Sequence, residues 1–319
     1  MRKNTLGKSH YDKPYFGGQA VVEGVLMKGA SHLAIAVRKP NKTIKVKLIP
    51  YISFTKRVPL FGMPFFRGIV SLFEMLVEGM KALTYSANEA VQQEDEQLST
   101  LEIALTLAIS IVFSLLLFVV APYLITHLLG ITEETQALLF NLVDGLVKLC
   151  IFVSYIIIIG LMKDVHRIFQ YHGAEHKAIN CFEAGKALTA KQVQQFSTIH
   201  PRCGTSFILL VIVIGIFIFS LAPFAVSLAY SSFYELSWVM RRAVLLFVRI
   251  LFMLPIAGAS YEVLKLAGKY RESLLLKMIV SPGLLVQKLT TKEPDDKQVE
   301  VSIAALKAVL HAEHVGFKE

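Results

Sequence analysis

Three cysteines in 319 residues are too few for a disulfide-stapled scaffold, so thiol chemistry or metal ligation is what they leave open. The first twenty residues are basic and polar with no apolar core behind them, so no secretory leader is expected there. No internal repeat and no low-complexity tract occurs, which sets aside solenoids and linker arrays. No basic stripe with interleaved aromatics accompanies the net charge of +9, so nucleic acid is not an expected partner. Charge is also missing, altogether, from the interiors of two long apolar runs, Ile103–Ile125 and Phe207–Tyr230.

What is present is segregation. The chain is 54% hydrophobic and 18% charged, too apolar for an ordinary soluble domain and too charged to lie wholly in lipid. With Leu138–Met162 and Ala243–Ala267, the two uncharged runs make four stretches that reach the ~20 residues a helix needs to cross a bilayer. Residues 1–81 carry fourteen Lys/Arg against four Asp/Glu, the loop at 163–206 carries six Lys/Arg, and the connection at 126–137 carries none. The positive-inside rule then predicts cytoplasmic termini and a cytoplasmic 163–206 loop, in a multi-pass protein of the cell membrane. The expected fold class is an α-helical polytopic membrane protein of about four transmembrane helices with a small cytoplasmic α+β head, and the lipid bilayer is its first partner.

The chain divides accordingly into a basic tail (1–16), a small β unit (17–60), an amphipathic helix with an acidic linker (61–98), membrane helices one and two (99–162), a His/Cys loop (163–206), membrane helices three and four (207–267) and a C-terminal segment with a short helix (268–319). In the β unit, Ala20–Met27 and Leu33–Arg38 read as strands. Thr43–Ile49 alternates Ile44, Val46 and Leu48 with Lys45 and Lys47, one face packed and one wet. Phe66, Ile69, Phe73, Leu76, Val77 and Met80 recur at helical spacing, on a helix that lies on the membrane or packs on the β unit. Glu89–Glu96 reads as the acidic linker, and Ser99 or Thr100 as a helix cap. Ser281-Pro282-Gly283 and Thr290–Asp296 read as chain breaks, and Val299–Val309 as an amphipathic helix.

The densest chemical signal is His172-Gly-Ala-Glu175-His176. Two His four apart face one side of a helix and can share one metal ion, with Glu175 beside them as a candidate proton carrier. The spacing predicts a helix over 164–184 with Gly185 closing it, and Gly173 within it points to a break or to close packing. Two His need a third ligand, and His200-Pro-Arg-Cys203-Gly204 offers either His200 or Cys203. Three protein ligands leave an open, catalytic position, whereas all four close the site and make it structural. A divalent metal, zinc by ligand chemistry, is the expected cofactor. Glu183, about 10 Å along the axis from His176, is a poor ligand for the same ion. Cys150 and Cys181 read as buried hydrophobes.

Two further groups stand out. Glu23, set among glycines in Gly18-Gln-Ala-Val-Val-Glu23-Gly24, reads as an acid/base or outer-shell group for the loop site, or as an ordinary exposed carboxylate. Asn141, Asp144 and Lys148 in the second apolar run, and Arg249 in the fourth, are costly at membrane depth, and Asp144 is expected to pair with Arg249, directly or through water.

With these residues collected, the chain resembles the YqhQ-like family of bacterial membrane proteins of unknown function. The resemblance rests on Gly18-Gln-Ala-Val-Val-Glu23-Gly24-Val-x-Met27, Tyr171-His172-Gly-Ala-Glu175-His176-Lys177, His200-Pro-Arg-Cys203-Gly-Thr205, and Pro282-Gly283 with Gln287-x-Leu289-Thr290-Thr291 and Glu293-Pro294. It implies a membrane setting and a metal-dependent enzyme, with no substrate. The leading expectation is therefore a metal-dependent hydrolase acting on a lipid-linked, peptide or other membrane-proximal substrate. A membrane scaffold braced by a structural metal is the alternative, and a small transporter subunit using Asp144, Lys148 and Arg249 is a third reading.

Overall fold

The computed structural model describes residues 16–91, 99–270 and 273–318. Four strands form one antiparallel sheet in sequence order: β1 (Gly17–Val21), β2 (Gly24–Lys28), β3 (His32–Arg38) and β4 (Ile44–Pro50). The stretch read as one strand, Ala20–Met27, is a hairpin: Val21 pairs with Gly24 across a two-residue turn that puts Glu23 at φ +51°. A run of valines carries strong strand propensity, so the turn shows only as the Gly after Glu23.

Alternation along the strands sends Val25, Met27, Ala34 and Ala36 to one face and Val21, Leu26, Leu33, Ile35 and Val37 to the other, and all are buried. The second face packs on α1 (Phe66–Ala90), whose small residues Ala82 and Ser86 meet it. On the fourth strand it is the expected packed face that fails, because Val46 and Leu48 are exposed, while Lys45 and Lys47 do lie on a wet face. Lys45 pairs with Glu89 of α1 at 2.7 Å, and Lys47 lies over Tyr85, whereas Val46 and Leu48 stay exposed because β4 is the sheet edge. Glu89 thus belongs to a helix rather than a linker, and the rest of the acidic stretch, 92–98, lies outside the described residues.

Next come the long apolar helices. α2 begins at Thr100, passes through a π turn at Leu116–Val120 and ends at Leu128, and Ser99 caps it with Glu102 in a reciprocal capping box. α3 (Glu133–Ile159) returns antiparallel to α2. α4 (Lys163–Glu183) carries the His pair. It ends where expected, with Gly185 at φ +69° and the Lys186 N–H bonded back to the Cys181 carbonyl. α5 (Gly204–Ala229) and α6 (Trp238–Lys269) form a second apolar hairpin. α7 (Leu274–Thr290) packs on α5, and α8 (Asp296–Ala312) fills the centre of the head.

Four helical spans, Leu101–Leu128, Leu138–Ile159, Gly204–Ala229 and Val239–Lys269, are long and apolar enough to cross a membrane. Side chains such as Leu128 (83% exposed) point away from the chain in a density that water does not tolerate, which suggests a membrane protein. Cys150 is exposed on this apolar surface, not buried as expected. Two of these helices end against the His helix and the loop that follows it. Gly160 at the end of α3 touches Phe169, and Gly268 near the end of α6 touches Arg202.

Two sequence expectations are corrected in the helices. Pro282 does not break the chain, because α7 runs through it. The Met278 carbonyl, which loses its backbone donor to the proline, accepts from the Ser281 hydroxyl at 2.8 Å, and Gly283 lets α7 rest on Ser206 of α5. Asp144 makes no direct pair with Arg249. It pairs with Lys148, one turn along the same helix, while Arg249 donates to Asn141 Oδ1 at 2.7 Å. Intrahelical i,i+4 geometry is available to Asp144 without help from any partner helix, and it wins.

α1 is tied to α6 as well as to the sheet: Arg67 grips the Glu262 carboxylate with two donors, Nε at 2.7 Å, and Glu262 also accepts from the Phe65 N–H at 3.2 Å. Glu262→Ala is expected to cost ~2 kcal/mol, read as a fall in the thermal midpoint of detergent-solubilised protein. The paired exchange Arg67→Glu/Glu262→Arg should recover part of that loss.

Candidate metal centre

α4 is crossed on one side by the 290–294 strap between α7 and α8. The Lys292 N–H donates to the Phe169 carbonyl at 2.9 Å, and the Lys292 carbonyl sits where a Cβ on Gly173 would fall, 2.0 Å away. Gly173 is thus a site of close packing, not of a break. On another side the loop after α4 returns through Thr198 to Cys203. Lys177, buried, fastens both flanks, donating to the Gln194 carbonyl at 2.9 Å and pairing with Glu293 at 2.7 Å.

These two flanks fix the histidines. His172 Nδ1 lies 2.9 Å from the Thr290 carbonyl, and His176 Nδ1 lies 2.6 Å from the Thr198 carbonyl. A carbonyl only accepts, so both Nδ1 atoms carry the proton and both Nε2 atoms present a lone pair. His172 Nε2 is 3.2 Å from Cys203 Sγ, and ligand atoms of His172, His176 and Cys203 all lie within 4.8 Å of one another. Ligands of a tetrahedral zinc stand about 3.3–3.7 Å apart given the usual bond lengths, so this donor set fits such an ion with small adjustments. Cys203 caps α5, where Thr205 N–H (3.4 Å) and Thr205 Oγ1 (3.1 Å) approach the sulfur at the positive end of the helix dipole.

Of the two possible third ligands, Cys203 is the one within the cluster. His200 stands beside it, its ring 5.7 Å from that of His176, with Nδ1 accepting from the Arg202 N–H at 3.4 Å. Its Nε2 is buried without a hydrogen bond and 3.6 Å from Glu183. Burial pushes its pKa down to about 4, so the contact with Glu183 is not an ion pair at neutral pH. Glu183 is engaged by Arg202 and is no ligand.

Glu175 is wholly enclosed. Its carboxyl group lies against Gly18 of β1, where any Cβ would approach it to 2.9 Å, and Oε2 has no hydrogen-bond partner. Desolvation raises its pKa to about 7, opposed by the nearby His172. Glu23 is placed elsewhere: its carboxylate takes both donors of Arg167 and the Tyr171 hydroxyl at 3.2 Å. Gly18, not Glu23, is the residue of the first hairpin that meets the His helix at Glu175. Cys181 is inert packing, with burial raising its pKa to about 11.

Sequence reasoning missed Gln287. Fully buried, it accepts from the His200 N–H at 2.7 Å and donates to the His200 carbonyl at 2.9 Å and to Ser206 Oγ at 3.1 Å. An amide in an otherwise apolar helix was the available signal. Gln287→Leu should leave two buried backbone groups of His200 unpaired at ~1–3 kcal/mol each, measured as a lowered thermal midpoint.

The profile of the family described as "Protein of unknown function (DUF1385)" matches residues 63–312. The chain is similar to "Uncharacterized protein YqhQ" of Bacillus subtilis (strain 168), with 34% identity over 319 residues that cover 95% of each chain. No solved structure matches. The chain belongs to the DUF1385 family, whose function is unknown.

Proposed function

We propose that this is a membrane-anchored metal-dependent hydrolase whose active centre sits in a cytoplasmic head. The observation that carries the reading is the paired anchoring of His172 and His176 through Nδ1 to two backbone carbonyls, with His172 Nε2 3.2 Å from Cys203 Sγ and a ligand atom of each of the three residues within 4.8 Å of the others. His172, His176 and Cys203 would hold the ion, zinc by ligand chemistry, and the fourth position stays open because His200 faces Glu183. A bound zinc supplies Lewis acidity toward water or a substrate oxygen.

The chain's own contribution is positional and protonic. Glu175, with its pKa near 7, is poised to take and return a proton close to the His pair. The Thr290 and Thr198 carbonyls orient the two rings. Cys203 opens α5, one of the four apolar spans, so the centre lies at the mouth of the helix bundle. Substrates of that site are membrane-proximal: lipid-linked groups or peptide segments leaving the bilayer. The charge distribution supports a cytoplasmic head and termini, with fourteen Lys/Arg in residues 1–81 and none in 126–137.

A structural brace is the second reading, favoured by the unpartnered Nε2 of His200 within one ring's distance of His176. A rotation of that ring would complete a four-ligand site.

Metal content by plasma mass spectrometry on chelator-free, detergent-purified protein tests both. About one equivalent of a transition metal is expected, falling below a tenth in His172→Ala/His176→Ala and sharply in Cys203→Ser. No metal in the native chain after zinc loading overturns the proposal. Loss in His200→Ala as complete as in Cys203→Ser favours the closed, structural site.

A further inference from the structure

On the other side of the α4 start lies a cleft of about 460 Å³ that the metal site does not use. Its wall includes Arg38, Lys39, Lys42, Arg167 and Lys297, with Glu23 as the single acidic group. Five cations around one concave space repel one another, and a cleft with walls of low dielectric strengthens the field.

Two of the cations are built in rather than waving in solvent. Arg167 is clamped to Glu23, with Nη2 2.6 Å from Oε2, and lies 5.8 Å over the Tyr171 ring. Arg38 donates to the Lys42 carbonyl (3.0 Å), the Lys297 carbonyl (2.7 Å) and Glu300 (2.8 Å), yet its Nε is buried with no partner. Lys39 shares Glu89 at 3.6 Å. Lys42 and Lys297 pair with no carboxylate among the described residues, although Asp295 lies near enough to act on Arg167.

We propose that this cleft binds a phosphate-bearing anion, either a soluble phosphate ester or diphosphate or a phospholipid headgroup. Oxygens of the anion meet the ammonium groups of Lys42 and Lys297, while Arg38 on Glu300 and Arg167 on Glu23 supply fixed charge. The volume suits a nucleotide-sized ligand or a headgroup with its glycerol. The inference stands whether or not His172, His176 and Cys203 hold a metal.

The test is calorimetry on the full chain in detergent with EDTA present, which keeps the anion from being captured by an ion at the His/Cys centre. One arm titrates pyrophosphate and ATP. The other titrates dioctanoyl phosphatidic acid, with dioctanoyl phosphatidylcholine as control. Saturable binding is expected in at least one arm, weaker with added salt, and reduced about tenfold or more by Lys42→Glu/Lys297→Glu. Both lysines are exposed, so the variant should keep the native thermal midpoint, and His172→Ala should bind as the native chain does. Binding of pyrophosphate or ATP identifies a soluble ligand, and binding of phosphatidic acid alone identifies a headgroup. No saturable binding in either arm, equal binding of the phosphatidylcholine control, or an unchanged double variant overturns the proposal.

Discussion

The close approach of the Lys292 carbonyl to Gly173 is the contact on which the rest of the head depends. Only a residue without a Cβ lets a strand of backbone lie this near to α4. That approach brings the Thr290 carbonyl onto His172, and the Lys292 amide onto Phe169. A hydrogen bond from Nδ1 settles which nitrogen of the ring keeps its lone pair, so a steric allowance at one glycine becomes a choice of tautomer in the His/Cys cluster.

The larger core of the head is assembled from three distant parts of the chain. Val25 and Met27 from the sheet, Tyr171, Ala174 and Ala178 from α4, and Val299, Leu306 and Val309 from α8 pack into one cluster. Ser302 of α8 even donates to the Ala174 carbonyl in mid-helix, at 3.0 Å. The apolar helices join this core at their ends, through Cys203 at the start of α5 and through α7, whose Gln287 grips the His200 backbone. A change in how α5 and α7 sit therefore reaches the His/Cys cluster directly, through Cys203 itself and through a buried amide with no slack.

α4 serves two different surfaces. His172 and His176 occupy one stripe with the Thr198 loop and the strap, while Arg167 and Tyr171 face the hairpin turn and Glu23. Glu175, between them, is enclosed by β1 and left without a hydrogen bond. A buried carboxyl with no partner costs stability, and such costs are kept where a neutral or proton-sharing group has a use. The neighbouring Cys181, equally buried but with its thiol near the Ala187 carbonyl, shows what plain packing looks like on the same helix.

Local pattern alone determined a good deal. Spacing and capping chemistry defined α4 with its Gly185 terminus, the Ser99 cap, the four long apolar helices and the His pair, because helical period, left-handed glycine and side-chain length are properties of neighbours in sequence. What the tertiary structure decided were the choices between equals. Cys203 rather than His200 joins the cluster because Cys203, at the start of α5, lies 3.2 Å from His172, while Gln287 holds the His200 backbone. Asp144 found Lys148 before any partner helix, Pro282 stayed in a helix because Ser281 covered its lost bond, and Glu23 went to Arg167 because the valine run folds into a hairpin. Each of these turns on which distant groups compete for one donor or one cavity, and sequence spacing does not encode that competition.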